Sequence, residues 1–350
     1  MNTKFENRVF CADSSKFLKK IPDQYVTLVY LDPPFFSNRN YEVITKDGSN
    51  SFTDKWSGGL DDYLEFMREI LQECKRVLNE RGSLYLHCDW HVSHYLKVEL
   101  DKIFGYENFH NEIVWKRHNA HNDTKQGCKL FGRIHDTILF YSKTKDYTWN
   151  PIYAPYPEEY IQKYYRHVEP ETGRRYAHGD LSGPGGRSKG NPRFEFLGVT
   201  HYWRFSKENM EKLYKEGRII QTKPGNVPLL KRYLDEMPGM ILQDIWDDVK
   251  SVQVTKKELV DYPTQKPIRL LERIIQVSSN EKDIVLDGMC GCGTTLVAAK
   301  NLDRKYIGAD NNSQACKISR NRLKLRKVKK QNLAQIKSLI MKRSRRKVLF

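Results

Sequence analysis

The sequence predicts an α/β fold, a doubly wound sheet interrupted by one long insertion, and three observations predict it. Short apolar runs alternate with stretches of helical periodicity. A glycine-rich turn near residue 290 stands between a strand and a helix. The alternation weakens between residues 119 and 254 and resumes beyond them.

Taken in order, Val26–Leu31 (Val-Thr-Leu-Val-Tyr-Leu) reads as a buried strand. Asp61 or Asp62 caps a helix on which Leu64, Met67, Leu71, Cys74 and Leu78 keep helical spacing, and Gly82 ends it. Gly82–Cys88 is strand-like, His91–Phe104 helical, and Gly105 punctuates. Ile113–Trp115 and Thr137–Tyr141 are further strands. Within 119–254, Gly179–Gly190 reads as a flexible loop. Regular patterning returns with a helix over Gln265–Ser278, a strand over Asp283–Leu286 and a helix over Gly293–Leu302. A strand over Lys305–Gly308 and a helix from Asn312 follow. No internal repeat is present.

Composition narrows the class. A chain of 350 residues accommodates one large catalytic domain, alone or with a smaller insert. No apolar run is long enough to cross a bilayer, and Met1–Phe10 lacks the apolar core of a signal peptide. Seven scattered cysteines fit a reduced cytoplasm rather than a disulfide framework. Cys290 and Cys292 are too close together for a Cys-x-x-Cys zinc knuckle, so no metal site is expected. The net charge of +17 is concentrated: residues 311–350 hold 14 Lys/Arg and no acid, leaving the remainder nearly balanced. Such a run suits a phosphate polymer, without separating DNA from RNA or an acidic membrane. Aromatic and basic residues interleave in the insertion (Tyr164, Arg166, Arg174, Tyr176, Tyr202, Arg204), a mixture that suits nucleic acid or forms a small local core.

Two motifs carry the chemistry. The first is Asp287-Gly-Met-Cys-Gly-Cys-Gly-Thr-Thr295. A strand ends in an acid, Gly291 and Gly293 let backbone approach a ligand, and a helix opens at Thr294 with free N–H groups. It lacks the Gly-Lys-Ser/Thr of a P-loop and the third glycine of the dinucleotide fingerprint. The following strand runs to Asp310, placed to hold a ribose through its hydroxyls. The unit is read as a nucleoside-cofactor site. The second motif is Asp32-Pro33-Pro34-Phe35, directly after the first strand. An exocyclic base amine is a poor nucleophile because its lone pair is delocalised into the ring. Acceptors for both N–H groups free that pair. Asp32 supplies one and the Pro33 carbonyl the other, on a loop that paired prolines stiffen. Phe35 offers a face to an extruded base.

These residues resemble the β-group of amino-methylating DNA methyltransferases, in which the catalytic motif precedes the cofactor motif. Asp32–Phe35 matches the catalytic tetrapeptide, and Asp287–Thr295 the cofactor loop, with Gly288 and Met289 in place of the usual proline and phenylalanine. Those two departures imply a softer loop and weaker packing over the cofactor. Pro263-Thr-Gln-Lys-Pro267 resembles the segment that grips the methionine end of S-adenosyl-L-methionine (AdoMet). Gln265, Lys266 and Pro267 thereby become cofactor residues, with Lys266 the partner of its carboxylate. Cys11-Ala-Asp13, followed by Phe17-Leu18, resembles the segment whose acid approaches the cofactor's adenine.

The resemblance implies a Rossmann-like methyltransferase sheet in circularly permuted motif order, with a target-recognition insert. Its divisions are a first catalytic part over 1–118, the recognition region over 119–254, a second catalytic part over 255–326 and a basic tail over 327–350. It implies a site-specific, cytoplasmic, AdoMet-dependent DNA methyltransferase acting on adenine N6 of a flipped base. Adenine is favoured because relatives acting on cytosine N4 usually carry Ser at the position of Asp32. Cytosine N4, RNA, and a non-catalytic DNA-binding protein with a decayed cofactor site stand as alternatives. Implied partners are double-stranded DNA and, left open, a second copy of the chain and a cognate restriction endonuclease; no membrane is implied.

Overall fold

An eight-stranded mixed sheet carries the larger of two units in the computed structural model, which describes residues 4–37, 40–45, 48–118, 127, 129–252, 258–260 and 262–324. The larger unit comprises residues 1–152 and 243–350, the smaller Tyr153–Leu242. The larger unit opens with β1 (Arg8–Cys11), α1 (Ser14–Leu18), β2 (Val26–Leu31), β3 (Asn40–Thr45) and β4 (Gly48–Thr53). It continues with α2 (Leu60–Val77), β5 (Leu78–Cys88), α3 (Ser93–Phe104), β6 (Phe109–Lys116) and β7 (His135–Ser142). The smaller unit holds β8 (Tyr153–Ala154), α4 (Glu158–Tyr164), β9 (His167–Val168), β10 (Arg175–Asp180), β11 (Arg193–Phe196) and β12 (Val199–Tyr202). Then come α5 (Lys207–Lys215), β13 (Ile219–Ile220), β14 (Leu229–Tyr233) and β15 (Met240–Ile241). The chain returns to the larger unit with β16 (Ile245–Trp246), α6 (Ile268–Ser278), β17 (Ile284–Asp287), α7 (Thr294–Asn301), β18 (Lys305–Asp310) and α8 (Ser313–Lys324).

The sheet order is β1-β18-β17-β2-β5-β7-β6-β16. Neighbours pair parallel except on both sides of β7, which runs against β5 and β6. All six residues of β2 are buried, as a strand covered on both faces requires. α2 is amphipathic and buries Tyr63, Met67, Ile70, Leu71, Cys74 and Val77, with Asp61 and Asp62 in its first turn, where the helix dipole favours acids. α6 turns Leu270, Leu271, Ile274 and Ile275 inward and packs on β2 and β5. Each fully buried aliphatic side chain contributes about 1.5–3 kcal/mol over leaving it in water.

Several boundaries differ from the sequence reading. α2 begins at Leu60 behind Gly59, so neither Asp61 nor Asp62 is its cap. It stops at Val77 rather than near Gly82, and Leu78 already starts β5. The stop is tertiary: the N–H groups of Gln24 and Tyr25 donate to the Arg76 and Val77 carbonyls, which satisfies the helix end without a glycine. α6 starts at Ile268 rather than Gln265, because Pro267 occupies the N-cap position and the Glu258 carboxylate accepts the Ile268 N–H. The expected loop from Gly179 is shorter, since Gly179 and Asp180 complete β10 against β14. The smaller unit also falls inside the expected 119–254, because β7 and β16 pair in the large sheet. Its four-stranded sheet runs β13-β14-β10-β9, and Leu181, Phe196, Trp203, Met210 and Ile219 form its core. The basic tail over 327–350 lies outside the described residues.

Candidate active site

The topology decides where ligands gather. β17 continues through α7 to β18 on one side, while its neighbour β2 continues through α2 to β5 on the other. Winding thus reverses between β17 and β2, and a crevice opens beyond their carboxyl ends. Asp287 closes β17, Asp32 follows β2, Asp310 closes β18, and Asp13 follows β1 as the N-cap of α1. One cavity of about 210 Å³ is lined by all four carboxylates. Pro33, Pro34, Phe35, Gln265, Lys266, Gly291 and Thr294 line it too; Pro267 and Gly293 are not among its walls.

Asp32 is held on one side only. Its Oδ2 accepts from Lys266 Nζ at 2.5 Å, while Oδ1 is buried and accepts no hydrogen bond among the described residues. A buried carboxylate oxygen without a donor is costly unless a ligand supplies one. The next carbonyls divide. Pro34 O accepts the Tyr63 hydroxyl at 2.9 Å, whereas Pro33 O takes no donor among the described residues. Phe35 stacks on His87 with ring centroids 5.8 Å apart. His87 is fixed from behind by Tyr30 Oη on Nδ1 at 2.8 Å and Asp136 Oδ2 on Nε2 at 3.2 Å. Arg117 pairs with the other Asp136 oxygen at 3.0 Å. Burial works against the Asp136 charge, but His87, Arg117 and Lys266 together hold its carboxyl below the ordinary value.

On the opposite wall the glycine turn is pinned by Asp310, whose oxygens accept the N–H groups of Gly291 and Asn312 at 2.8 Å each. Gly293 takes φ +77°, and a Cβ there would lie 2.1 Å from Ser319 Oγ, so only glycine admits both the backbone and the contact. At Gly288 a Cβ would meet only ordinary contacts at 3.6 Å or more. Ser14 Oγ donates to its carbonyl at 2.6 Å, and Met289 packs against the main core, so both departures from the usual loop sit in a tethered segment.

The electrostatics favour a cation. Burial pushes the Asp287 carboxyl up to about 7, with Asp32 and Asp310 adding repulsion, against the pull of the Thr295 hydroxyl and the Met289 N–H. Burial also raises Asp310, partly offset by its two backbone donors. A carboxyl with a raised folded pKa supports folding fully below its unfolded value of about 4 and loses that support as pH climbs through the folded value. The ligand-free protein should therefore lose stability as pH rises from about 4 to 7, by up to roughly 4 kcal/mol. Urea midpoints measured across that range should fall more steeply for wild type than for Asp287→Asn; parallel curves would contradict the assignment.

Two expected cofactor residues have other engagements. The Gln265 amide accepts from Val260 N–H and donates to Glu258 O, each at 2.8 Å, so it braces its own loop. Lys266 meets Asp32 rather than standing alone. Asp54, Tyr63, His87 and Asp136 escaped the sequence reading, because each has site partners at least 17 residues away that no spacing rule connects, although Asp54 also holds Trp56 two residues on.

Comparison with known proteins agrees with this geometry. The family model for DNA methylases of the N6/N4 class matches residues 26–321. The chain belongs to the N6/N4 DNA methylase family. The type II methyltransferase M.EcaI of Enterobacter cloacae is 31% identical over 89% of this chain and 68% of its own. The DNA adenine methyltransferase YhdJ of Escherichia coli K12 is 28% identical over 92% of this chain and 85% of its own. Among solved structures, a DNA modification methylase of Thermus thermophilus covers 92% of this chain and 96% of its own at 17% identity, with a TM-score of 0.49. The methylase is thus an amino-methylating enzyme of DNA, and the cofactor of its family is AdoMet. The residues present are compatible with that group: Asp13, Asp287 and Asp310 line one cavity with backbone of the glycine turn, and acidic walls suit a sulfonium cation. Among the described residues no helix is long and apolar enough to cross a membrane, and no cluster could hold a metal ion.

Proposed function

We propose that this methylase modifies the N6 amino group of adenine, at a specific sequence, in a base turned out of double-stranded DNA. The reading is carried by one observation: Asp32 Oδ1 and the carbonyl of the adjoining Pro33 both lack a donor among the described residues, and both residues line the cavity shared with Asp287 and Asp310. Asp32 Oδ1 accepts one N–H of the amine and Pro33 O the other, which draws the nitrogen lone pair out of the ring. Phe35, backed by His87, meets the face of the base and keeps the amine directed at the cofactor wall. Lys266 on Oδ2 fixes the orientation of Asp32, so its second oxygen stays presented to substrate. Asp287 and Asp310 would hold AdoMet, which would supply an electrophilic methyl group on sulfur. The proton released from nitrogen passes to Asp32 or to water after transfer.

Adenine is favoured over cytosine N4 by the acid at position 32, and the adenine specificity of YhdJ points the same way. The smaller unit, within the 119–254 region, would read the sequence, and M.EcaI's type II designation suits a role in modification beside a restriction enzyme. DNA from a methylation-free host expressing the chain, sequenced with detection of modified bases, should carry N6-methyladenine at one recurrent sequence. N4-methylcytosine instead would overturn the base assignment, and unmodified DNA the activity.

A further inference from the structure

The catalytic tetrapeptide does not hold itself. Directly after it, Phe36 adopts φ +59°, a left-handed conformation that side chains other than glycine rarely take. Such a residue persists only where its surroundings over-determine it. Here they do, through one side chain that belongs to neither motif. Asp54, which follows β4 and is only 1% exposed, lines the cavity and accepts four hydrogen bonds. Its Oδ1 takes the Phe36 N–H at 3.0 Å and Trp56 Nε1 at 3.2 Å. Its Oδ2 takes both the N–H and the hydroxyl of Ser37, each at 2.6 Å. Two of the four donors are backbone groups of the turn that leaves Asp32–Phe35. A carboxylate alone among side chains offers acceptors on both prongs and no donor to repel those N–H groups.

A second fastening completes the hold. Tyr63, on the buried face of α2, donates its hydroxyl to Pro34 O, and its ring packs edge-on against Trp56 at 5.1 Å and tilted against Phe36 at 5.8 Å. Trp56 is the indole that Asp54 grips. Pro34 O is thereby occupied, which leaves Pro33 O as the carbonyl free to accept from substrate. We propose that Asp54, with Tyr63, is the positioning residue of the methyl-transfer loop, setting where Asp32 and Pro33 O stand without touching substrate itself. The proposal rests on the assignment of Asp32 and Pro33 O as amine acceptors.

The reach of such a residue is kinetic. Displacement of a reacting group by about 1 Å costs on the order of 10²-fold in rate. In Asp54→Asn one prong becomes an NH2 that faces N–H groups, so the turn must shift although side-chain volume is unchanged. The experiment measures steady-state methyl transfer to genomic DNA of a methylation-free host by full-length wild type, Asp54→Asn, Tyr63→Phe, the double variant and Asp32→Asn. AdoMet affinity is read by calorimetry and folding by thermal melting. Asp54→Asn is expected to lower kcat about 10²-fold while AdoMet affinity and KM for DNA stay near wild type. Tyr63→Phe should lower kcat less. The double variant should lose no more than Asp54→Asn alone, because both residues fasten one loop. Undiminished kcat in folded Asp54→Asn overturns the proposal, as does a loss matched by equal loss of AdoMet binding. Should Asp54→Asn fail to fold, Tyr63→Phe decides, and unchanged kcat there overturns it. An inactive wild type, or an active Asp32→Asn, strikes the underlying assignment instead of the positioning role.

Discussion

Replacing Asp32 with alanine lowers kcat by roughly 10²–10³-fold or more, the scale of losing a preorganised polar contact at the reacting atom, while the protein still binds duplex DNA. The side chain removed presents a buried oxygen without any protein donor among the described residues, and burial makes that oxygen count. The Pro34 carbonyl does not replace it, since it is committed to Tyr63. Binding to duplex DNA persists because phosphate contacts come from basic surface rather than from the cavity floor. The variant also frees Lys266 from its Asp32 partner. Gel-shift titration and labelled methyl transfer, run side by side, check both halves. Full transfer activity in Asp32→Ala would remove Asp32 from the mechanism.

Gly293→Ala should destabilise the fold by about 2–5 kcal/mol. Left-handed backbone costs a residue with a Cβ about 1–2 kcal/mol, and forcing a methyl into a filled space about 1–3 more. Both costs apply, because φ is +77° and the added carbon would lie 2.1 Å from Ser319 Oγ and 2.8 Å from its Cβ. Gly293 is also where α7 begins, so relief by backbone movement would open the turn that Asp310 pins. Chemical denaturation reads the loss directly. Ser319→Gly in the same background should recover the crowding part and leave the backbone part.

How far the sequence could be read depends on the range of the interaction responsible. β2, α7 and the turn between Asp287 and Thr294 were legible because apolar runs, glycines and a terminal acid lie within a dozen residues. Asp32, Asp287 and Asp310 were legible as acids at or just after strands, whereas Asp13 was marked only by the family resemblance; the reversal of winding between β17 and β2 turns those separate signals into one cavity. The end of α2 was not legible: its carbonyls are satisfied by Gln24 and Tyr25, some fifty residues earlier in the chain. Nor was the wall behind Phe35, which joins His87 of β5 to Asp136 of β7 across paired strands. Asp54 carries no local signature either, since its donors at Phe36 and Ser37 are reached only after the β3–β4 hairpin folds back. The smaller compact unit, Tyr153–Leu242, is shorter than the 119–254 region for a related reason. Thr137–Tyr141 was read as a strand, yet only its pairing with β5 and β6 assigns it to the large sheet.

The central claim is that one nucleobase amine is gripped by Asp32 and the Pro33 carbonyl at the mouth of the cofactor cavity. A crystal structure with S-adenosylhomocysteine and duplex DNA carrying the mapped target tests it most directly. Adenine N6 should lie about 2.7–3.2 Å from both Asp32 Oδ1 and Pro33 O, with the ring against Phe35. A target base still stacked in the duplex, or an extruded one whose amine contacts neither oxygen, would contradict it.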